Sequence, residues 1–162
     1  MNVFDIAMEK ELEVKVYYEK LAGESALPGI TNIFTLLAAD EQRHFEAVQK
    51  MRRKIDCDNP ADSPALDAAR KVLEKYFGDM GPAAQMKNCL ESYRHALLIE
   101  SESIRFYEGI LKTEADTQLK TVVATILDQE REHYSIVENL YEYVLKPEYF
   151  LAWAEFSNLR EL

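Results

Sequence analysis

Two Glu-x-x-His motifs in this sequence have residue types and spacing suited to metal chemistry. A further glutamate precedes each motif by 30 positions, and the two sets are related by one fixed offset of 89 positions. The six residues are Glu11, Glu41 and His44 in the first set and Glu100, Glu130 and His133 in the second. The repetition predicts a site for two metal ions.

Helix geometry supports this prediction. Residues i and i+3 of an α-helix lie about 60° apart with a rise of roughly 4.5 Å, so Glu and His at that spacing can bind one cation from one face. One such motif is weak support, since glutamates are abundant and most such pairs are solvated helix surface. However, the chain has only three histidines, and two of them carry Glu three residues upstream at the same offset.

The composition is typical of a single helical domain. The 162 residues are long enough to bury a sizeable core, and 48% of them are hydrophobic and 30% charged. Glycine and proline number only five each, which favours long helices over turn-rich β architectures. We therefore predict an all-α fold.

The acidic charge argues against binding to nucleic acid or to an anionic membrane surface. The formal net charge is −10, and no dense Lys/Arg cluster occurs. Two divalent cations would bring it to about −6.

The two cysteines, Cys57 and Cys89, form no Cys-x-x-Cys motif and are expected to be free thiols. The first residues turn acidic too soon for a signal peptide, and no apolar run approaches the ~18 residues of a transmembrane helix. We expect a cytoplasmic protein that acts on neither nucleic acid nor membranes.

Hydrophobic periodicity predicts two helical hairpins joined by a long crossover. A turn at Pro28-Gly29 separates the first two helices, and Lys146-Pro147 ends the last one. The predicted long helices are 3–23, 30–55, 83–112 and 116–145, with a short helix at 65–77 inside a crossover of 56–82. Since the hairpins repeat each other at the 89-residue offset, we predict a four-helix bundle built by duplication.

The tail, residues 146–162, is rich in aromatic residues. Phe150, Trp153 and Phe156 are expected to pack along the bundle or at a subunit interface, and the sequence does not distinguish these alternatives. Tyr141, Tyr143 and Tyr149 extend this apolar surface and are interpreted as structural.

Tyr18 and Tyr107 lie seven residues after Glu11 and Glu100, about 20° away on the same helical stripe. Each is predicted to orient a carboxylate through its phenol, the alternative being a core tyrosine with another partner. Three further polar residues lie off the ligand stripe and are interpreted as non-ligands: His95, Glu13 and Glu102.

One Glu from the first helix and Glu-x-x-His from the second helix of each hairpin form the ligand set of di-metal carboxylate bundles. Over residues 3–145 the chain resembles ferritin-like proteins of the rubrerythrin group, in the single-domain form. The motifs that carry the resemblance are E11-LEVKVY-Y18, E41-QR-H44, E100-SESIRF-Y107 and E130-RE-H133.

The resemblance implies a role for each of the six residues. Glu41 and Glu130 would bridge two metals, Glu11 and Glu100 would each bind one, and the two histidines would complete the coordination. Oxygen-rich ligands with one imidazole per metal suit iron, with manganese or zinc as alternatives.

Two departures from the group bear on activity. Peroxide-reducing rubrerythrins carry an extra carboxylate where this chain has Ser103, and Val14 is the equivalent in the first half. The sequence also lacks the four-cysteine site of a rubredoxin domain. Electrons are therefore expected from an external donor, such as a rubredoxin-type protein, and the long crossover and aromatic tail suggest a homodimer.

Three functions fit these observations. The leading hypothesis is a non-haem di-iron oxidoreductase that reduces hydrogen peroxide or dioxygen. The second is a ferroxidase or iron-buffering protein, which needs a shell or an exit route for iron. The third is a structural module that metals stabilise without turnover.

Overall fold

A computed structural model describes residues 2–55 and 57–147. Within these residues every regular element is helical, and no β-strand occurs. The aromatic residues Tyr149, Phe150, Trp153 and Phe156, whose packing was left open, lie outside the described residues.

Four long helices and two short ones make up the described chain. They are α1 (Val3–Glu24), α2 (Pro28–Arg53), α3 (Ala65–Tyr76), α4 (Met80–Met86), α5 (Leu90–Thr113) and α6 (Thr117–Leu145). One 3₁₀ turn, Lys87–Cys89, joins α4 to α5. The prediction of an all-α bundle of ferritin-like type is confirmed.

The predicted helix boundaries were wrong at two places. Pro28 begins α2 instead of forming a turn, because proline lacks only an N–H that the first helical turn leaves unpaired. The third long helix begins at Leu90 and not at residue 83. Residues 80–86 form a separate helix, which the Asp79 side chain caps by accepting from the Gly81 N–H at 2.9 Å.

The long helices pair as two hairpins, α1 with α2 and α5 with α6, as predicted. The contacts between α1 and α5 show that these two helices are antiparallel. Lys10 lies over the Phe106 ring, whereas Tyr17, further along α1, donates to the carbonyl of Ser92, an earlier residue of α5. The two hairpins are therefore related by an approximate two-fold axis.

The connection between α2 and α5 covers one side of the bundle. Its helix α3 packs against α2 and α6, and α4 packs against α6. Tyr143, near the end of α6, is buried there and stacks on Tyr76 with ring centroids 5.9 Å apart. The crossover therefore lies along the α2 and α6 side of the bundle.

The apolar core consists of two clusters, one toward each end of the bundle. Phe34, Tyr93 and Leu140 belong to the first, and Met51 and Val123 belong to the second. Between them lies a layer of buried ionisable residues. No helix in the described part of the chain is long and apolar enough to cross a membrane.

Candidate metal centre

The buried faces of α1 and α5 repeat each other residue by residue. The buried positions of α1 are Phe4, Ala7, Glu11, Val14, Tyr18 and Leu21, and those of α5 are Tyr93, Ala96, Glu100, Ser103, Tyr107 and Ile110. Every pair differs by 89 positions. Spacings of three and four residues keep one stripe of a helix toward the core, so an acidic residue within the stripe is buried with it.

The bundle brings all six predicted residues together in its interior. Ligand atoms of Glu11, Glu41, His44 and Glu130 lie within 4.8 Å of one another, and so do those of Glu41, Glu100, Glu130 and His133. The two groups share Glu41 and Glu130, one from α2 and one from α6. This arrangement is the one expected when two carboxylates bridge two metal ions.

Both imidazoles direct the same ring nitrogen toward the carboxylates. Nδ1 of His44 lies 3.1 Å from Glu130 Oε1, and Nδ1 of His133 lies 2.9 Å from Glu41 Oε1. The rings stack with centroids 5.6 Å apart and planes 16° apart. In each histidine Nδ1 is thus the atom placed to bind a metal.

Burial makes the cluster electrostatically unfavourable without cations. Burial first, and then the charges of neighbouring carboxylates including Glu130, raises the pKa of Glu41 well above its usual range and that of Glu100 to about 8. Burial acts against ionisation of Glu130 too, but hydrogen bonds from both histidines hold its pKa well below its usual range. Metal-free, the chain therefore shares protons among these groups.

Unpaired oxygen atoms show that the residues present fit metal ions. In the described structure one oxygen of each central carboxylate is buried and has no hydrogen-bond partner; these are the Oε2 atoms of Glu11, Glu41, Glu100 and Glu130. Buried carboxylate oxygens without donors are costly unless a cation binds them. Four carboxylates balance the charge of two divalent cations.

Both predicted tyrosines contact the centre, and each binds the glutamate of the opposite hairpin. The Tyr18 phenol donates to Glu100 Oε1, and the Tyr107 phenol donates to Glu11 Oε1. Both phenols are fully buried, and burial and nearby carboxylates raise their pKa well above the usual range. They therefore remain protonated donors.

Two residues of the centre were missed from sequence. Asp40 Oδ2 lies 2.9 Å from Nε2 of His133, and Gln129 Oε1 lies 2.7 Å from Nε2 of His44. Both immediately precede a Glu-x-x-His motif and so obey the same 89-residue offset. Their equivalent positions before the two motifs were the feature of the sequence that could have identified them.

The polar residues interpreted as non-ligands lie outside both groups of ligand atoms. His95, Glu13 and Glu102 are exposed, and they line a cavity of about 340 Å³ between α1 and α5. Val14 and Ser103, each one turn beyond a central glutamate, also line it. Ser103 is only 5% exposed.

A sequence model of one family, described as Rubrerythrin, matches residues 2–141. The chain belongs to the rubrerythrin family. Searches of curated proteins and of solved structures each found no match. Membership in the rubrerythrin family agrees with the helical bundle and with a buried centre of carboxylates and histidines suited to metal.

Proposed function

We propose that this rubrerythrin-family protein is a non-haem di-iron oxidoreductase that reduces hydrogen peroxide, or dioxygen, with electrons from an external donor. The observation that carries the proposal is the pair of ligand groups that share Glu41 and Glu130. Two cations held by common carboxylates can exchange electrons with one small oxidant.

Each central residue would have a distinct role. Glu41 and Glu130 would bridge the two ions, while Glu11 with His44 and Glu100 with His133 would complete one coordination sphere each. The donor set of four carboxylates and two imidazoles suits iron, and manganese also fits. Bound as Fe(II), two ions supply one electron each, so that one H₂O₂ and two protons give two H₂O.

The protein supplies positioning and a low dielectric. The phenols of Tyr18 and Tyr107 hold one oxygen of Glu100 and of Glu11, which leaves Oε2 of each carboxylate for the metal. The apolar clusters on both sides restrict the rearrangement of these side chains. The centre is therefore preorganised, and its carboxylates need not be reoriented by each oxidant.

The oxidant would reach the centre between α1 and α5. On the opposite side the crossover packs over α2 and α6, whereas Val14 and Ser103 border an open cavity one turn from the ligands. A molecule of the size of peroxide fits a space of about 340 Å³. The buried Ser103 offers it a hydroxyl group for hydrogen bonding in the part of the wall one turn from Glu100.

Turnover with a protein donor tests the proposed reaction. Iron-loaded protein is mixed anaerobically with an excess of reduced rubredoxin and then with hydrogen peroxide, and rubredoxin oxidation is followed optically. We expect many peroxide molecules to be consumed per chain, each with two rubredoxin electrons. A single oxidation of the centre, without recovery by this donor or by chemically reduced flavin, would contradict the proposal and favour iron buffering or a structural role.

A further inference from the structure

The residues preceding the two Glu-x-x-His motifs make the centre asymmetric. Asp40 and Gln129 occupy equivalent positions and make equivalent contacts, each accepting from Nε2 of the histidine in the other hairpin. Both are almost fully buried, with exposures of 0% and 6%. The duplicated scaffold thus places a carboxylate behind His133 and a neutral amide behind His44.

The crossover holds these two partners in place. The Gln129 side-chain NH₂ donates to the carbonyl of Ala61 at 3.1 Å, which leaves its Oε1 to accept from His44. Two residues further along, the Ser63 hydroxyl donates to Asp40 Oδ2. One short stretch of the crossover, residues 61–63, therefore contacts both partners and holds the orientation of each side chain.

A carboxylate and an amide act differently on an imidazole. A hydrogen bond to a carboxylate is the stronger one, and it increases the electron donation of the ring to a metal. Arg43 pairs with Oδ1 of Asp40 and offsets part of its charge, but the Arg43 side chain is 31% exposed whereas that of Asp40 is fully buried. The residue equivalent to Arg43 in the second hairpin is Glu132, so the arginine that pairs with Asp40 has no counterpart at that position.

From this asymmetry we propose that the two metal positions differ in affinity, and that the position of His133 fills first. The inference rests on the metal site of the proposed function. Substitution of the residue that hydrogen-bonds a metal-binding histidine typically lowers affinity about 10- to 100-fold. We therefore expect the first binding constant to exceed the second by at least about tenfold.

The small number of histidines makes the order of filling directly measurable. Metal-free, full-length protein is titrated with Zn²⁺, and the imidazole ¹H–¹⁵N resonances of His44, His95 and His133 are followed, with His95→Gln providing one assignment. His133 is expected to change fully during the first equivalent and His44 during the second, while His95 stays unchanged. Parallel changes of His44 and His133, or a change of His44 first, would overturn the proposal.

Exchanging the two partners separates this role from a structural one. Asp40→Asn is expected to lower the first binding constant about 10- to 100-fold, and Asp40→Asn with Gln129→Glu is expected to make His44 change first. Asp128→Asn removes an exposed carboxylate beside Gln129 and serves as the charge control. If Asp40→Asn weakens both steps equally and the double variant keeps the wild-type order, Asp40 merely supports folding.

The titration also distinguishes this inference from the proposed function. Zn²⁺ cannot change oxidation state, so ordered uptake followed by no peroxide turnover of the iron form would contradict the oxidoreductase alone. Uptake of two Zn²⁺ ions with equal constants, together with peroxide turnover, would contradict the ordered filling alone. Absence of any uptake by folded protein, checked by circular dichroism, would contradict both.

Discussion

The Tyr18 phenol on α1 donates a hydrogen bond to Glu100 on α5, so a residue of one hairpin orients a central carboxylate of the other. Tyr107 and Glu11 make the reciprocal bond. Two reciprocal tyrosine–glutamate hydrogen bonds therefore connect the duplicated halves at the centre. Glu41 and Glu130, which belong to both groups of ligand atoms, connect them as well.

Removal of one of these phenols should weaken metal binding. In Tyr18→Phe the Glu100 carboxylate loses the donor that orients it, and we expect affinity for a divalent cation to fall about tenfold. A competition titration with a coloured chelator measures this change. Tyr17→Phe is the matched control, because the Tyr17 phenol donates to the Ser92 carbonyl at 2.8 Å, away from the ligands. Equal affinities in Tyr18→Phe and wild type would exclude this role.

Neutralising Glu41, one of the two carboxylates shared by both groups of ligand atoms, should have opposite effects on the metal-free and metal-loaded protein. Burial and neighbouring carboxylates raise the pKa of Glu41. Where Glu41 is ionised, Glu41→Gln should stabilise the metal-free form, because the neutral amide removes a buried charge that neighbouring carboxylates repel. The same change should reduce metal content by at least one ion per chain. Chemical denaturation and metal analysis measure the two effects, and Glu13→Gln, an exposed glutamate, is the control. A less stable metal-free variant would contradict this account of the repulsion.

The metal-free protein should lose stability as pH rises from about 5 to 9. Burial, followed by the charge of Glu130, raises the Glu100 pKa to about 8 from its usual 4.5, so the folded chain binds more protons than the unfolded chain in between. Burial disfavours charged His133, but the Glu41 charge and other acidic partners raise its pKa well above 6.5, which gives the same sign. The lowered pKa of Glu130 acts oppositely only at acid pH.

Thermal melting at a series of pH values tests this prediction, with the metal-loaded protein measured in parallel. Since metal binding requires deprotonated ligands, the loaded form should keep its stability over the same range. A metal-free melting temperature that increases toward pH 9 would show that the central carboxylates are not the groups responsible.

Filling the cavity between α1 and α5 should slow the reaction with peroxide without removing metal. Ser103→Leu adds bulk to the cavity wall one turn from Glu100, and we expect oxidation of the iron-loaded centre to slow by at least about tenfold, or ~1.4 kcal/mol in the barrier. Stopped-flow absorbance measures the rate. Ser101→Leu makes the same chemical change on α5 without lining this cavity. Equal rates in the two variants would place the access route elsewhere.

The sequence was sufficient for the bundle and for the six central residues because both depend on periodicity within a helix. Glu41 and His44 share a face wherever α2 packs, and the exact offset carries the same argument to α6. Asp40 lies about 40° around the helix from His44, so spacing alone also puts it on the buried side of α2. Spacing within one helix does not show that its partner is His133 of the other hairpin.

Residue spacing within one helix also could not predict which side chains would pair between helices. Tyr18 lies on the same stripe of α1 as Glu11, yet its phenol donates to Glu100. Because α1 and α5 are antiparallel neighbours, a residue two turns after Glu11 on α1 lies beside Glu100 on α5. The start of α5 was misplaced since residues 83–89 have helical composition, while the 3₁₀ turn at Lys87–Cys89 separates them from the long helix.

Metal content and oxidation of anaerobically purified protein test the central claim most directly. After iron reconstitution we expect about two irons per chain, oxidised together by one equivalent of hydrogen peroxide, with both properties lost in Glu41→Ala and Glu130→Ala but kept in Glu102→Ala. Zinc or no metal after purification, with iron neither bound nor oxidised after reconstitution, would contradict the claim and indicate that the carboxylate cluster is structural.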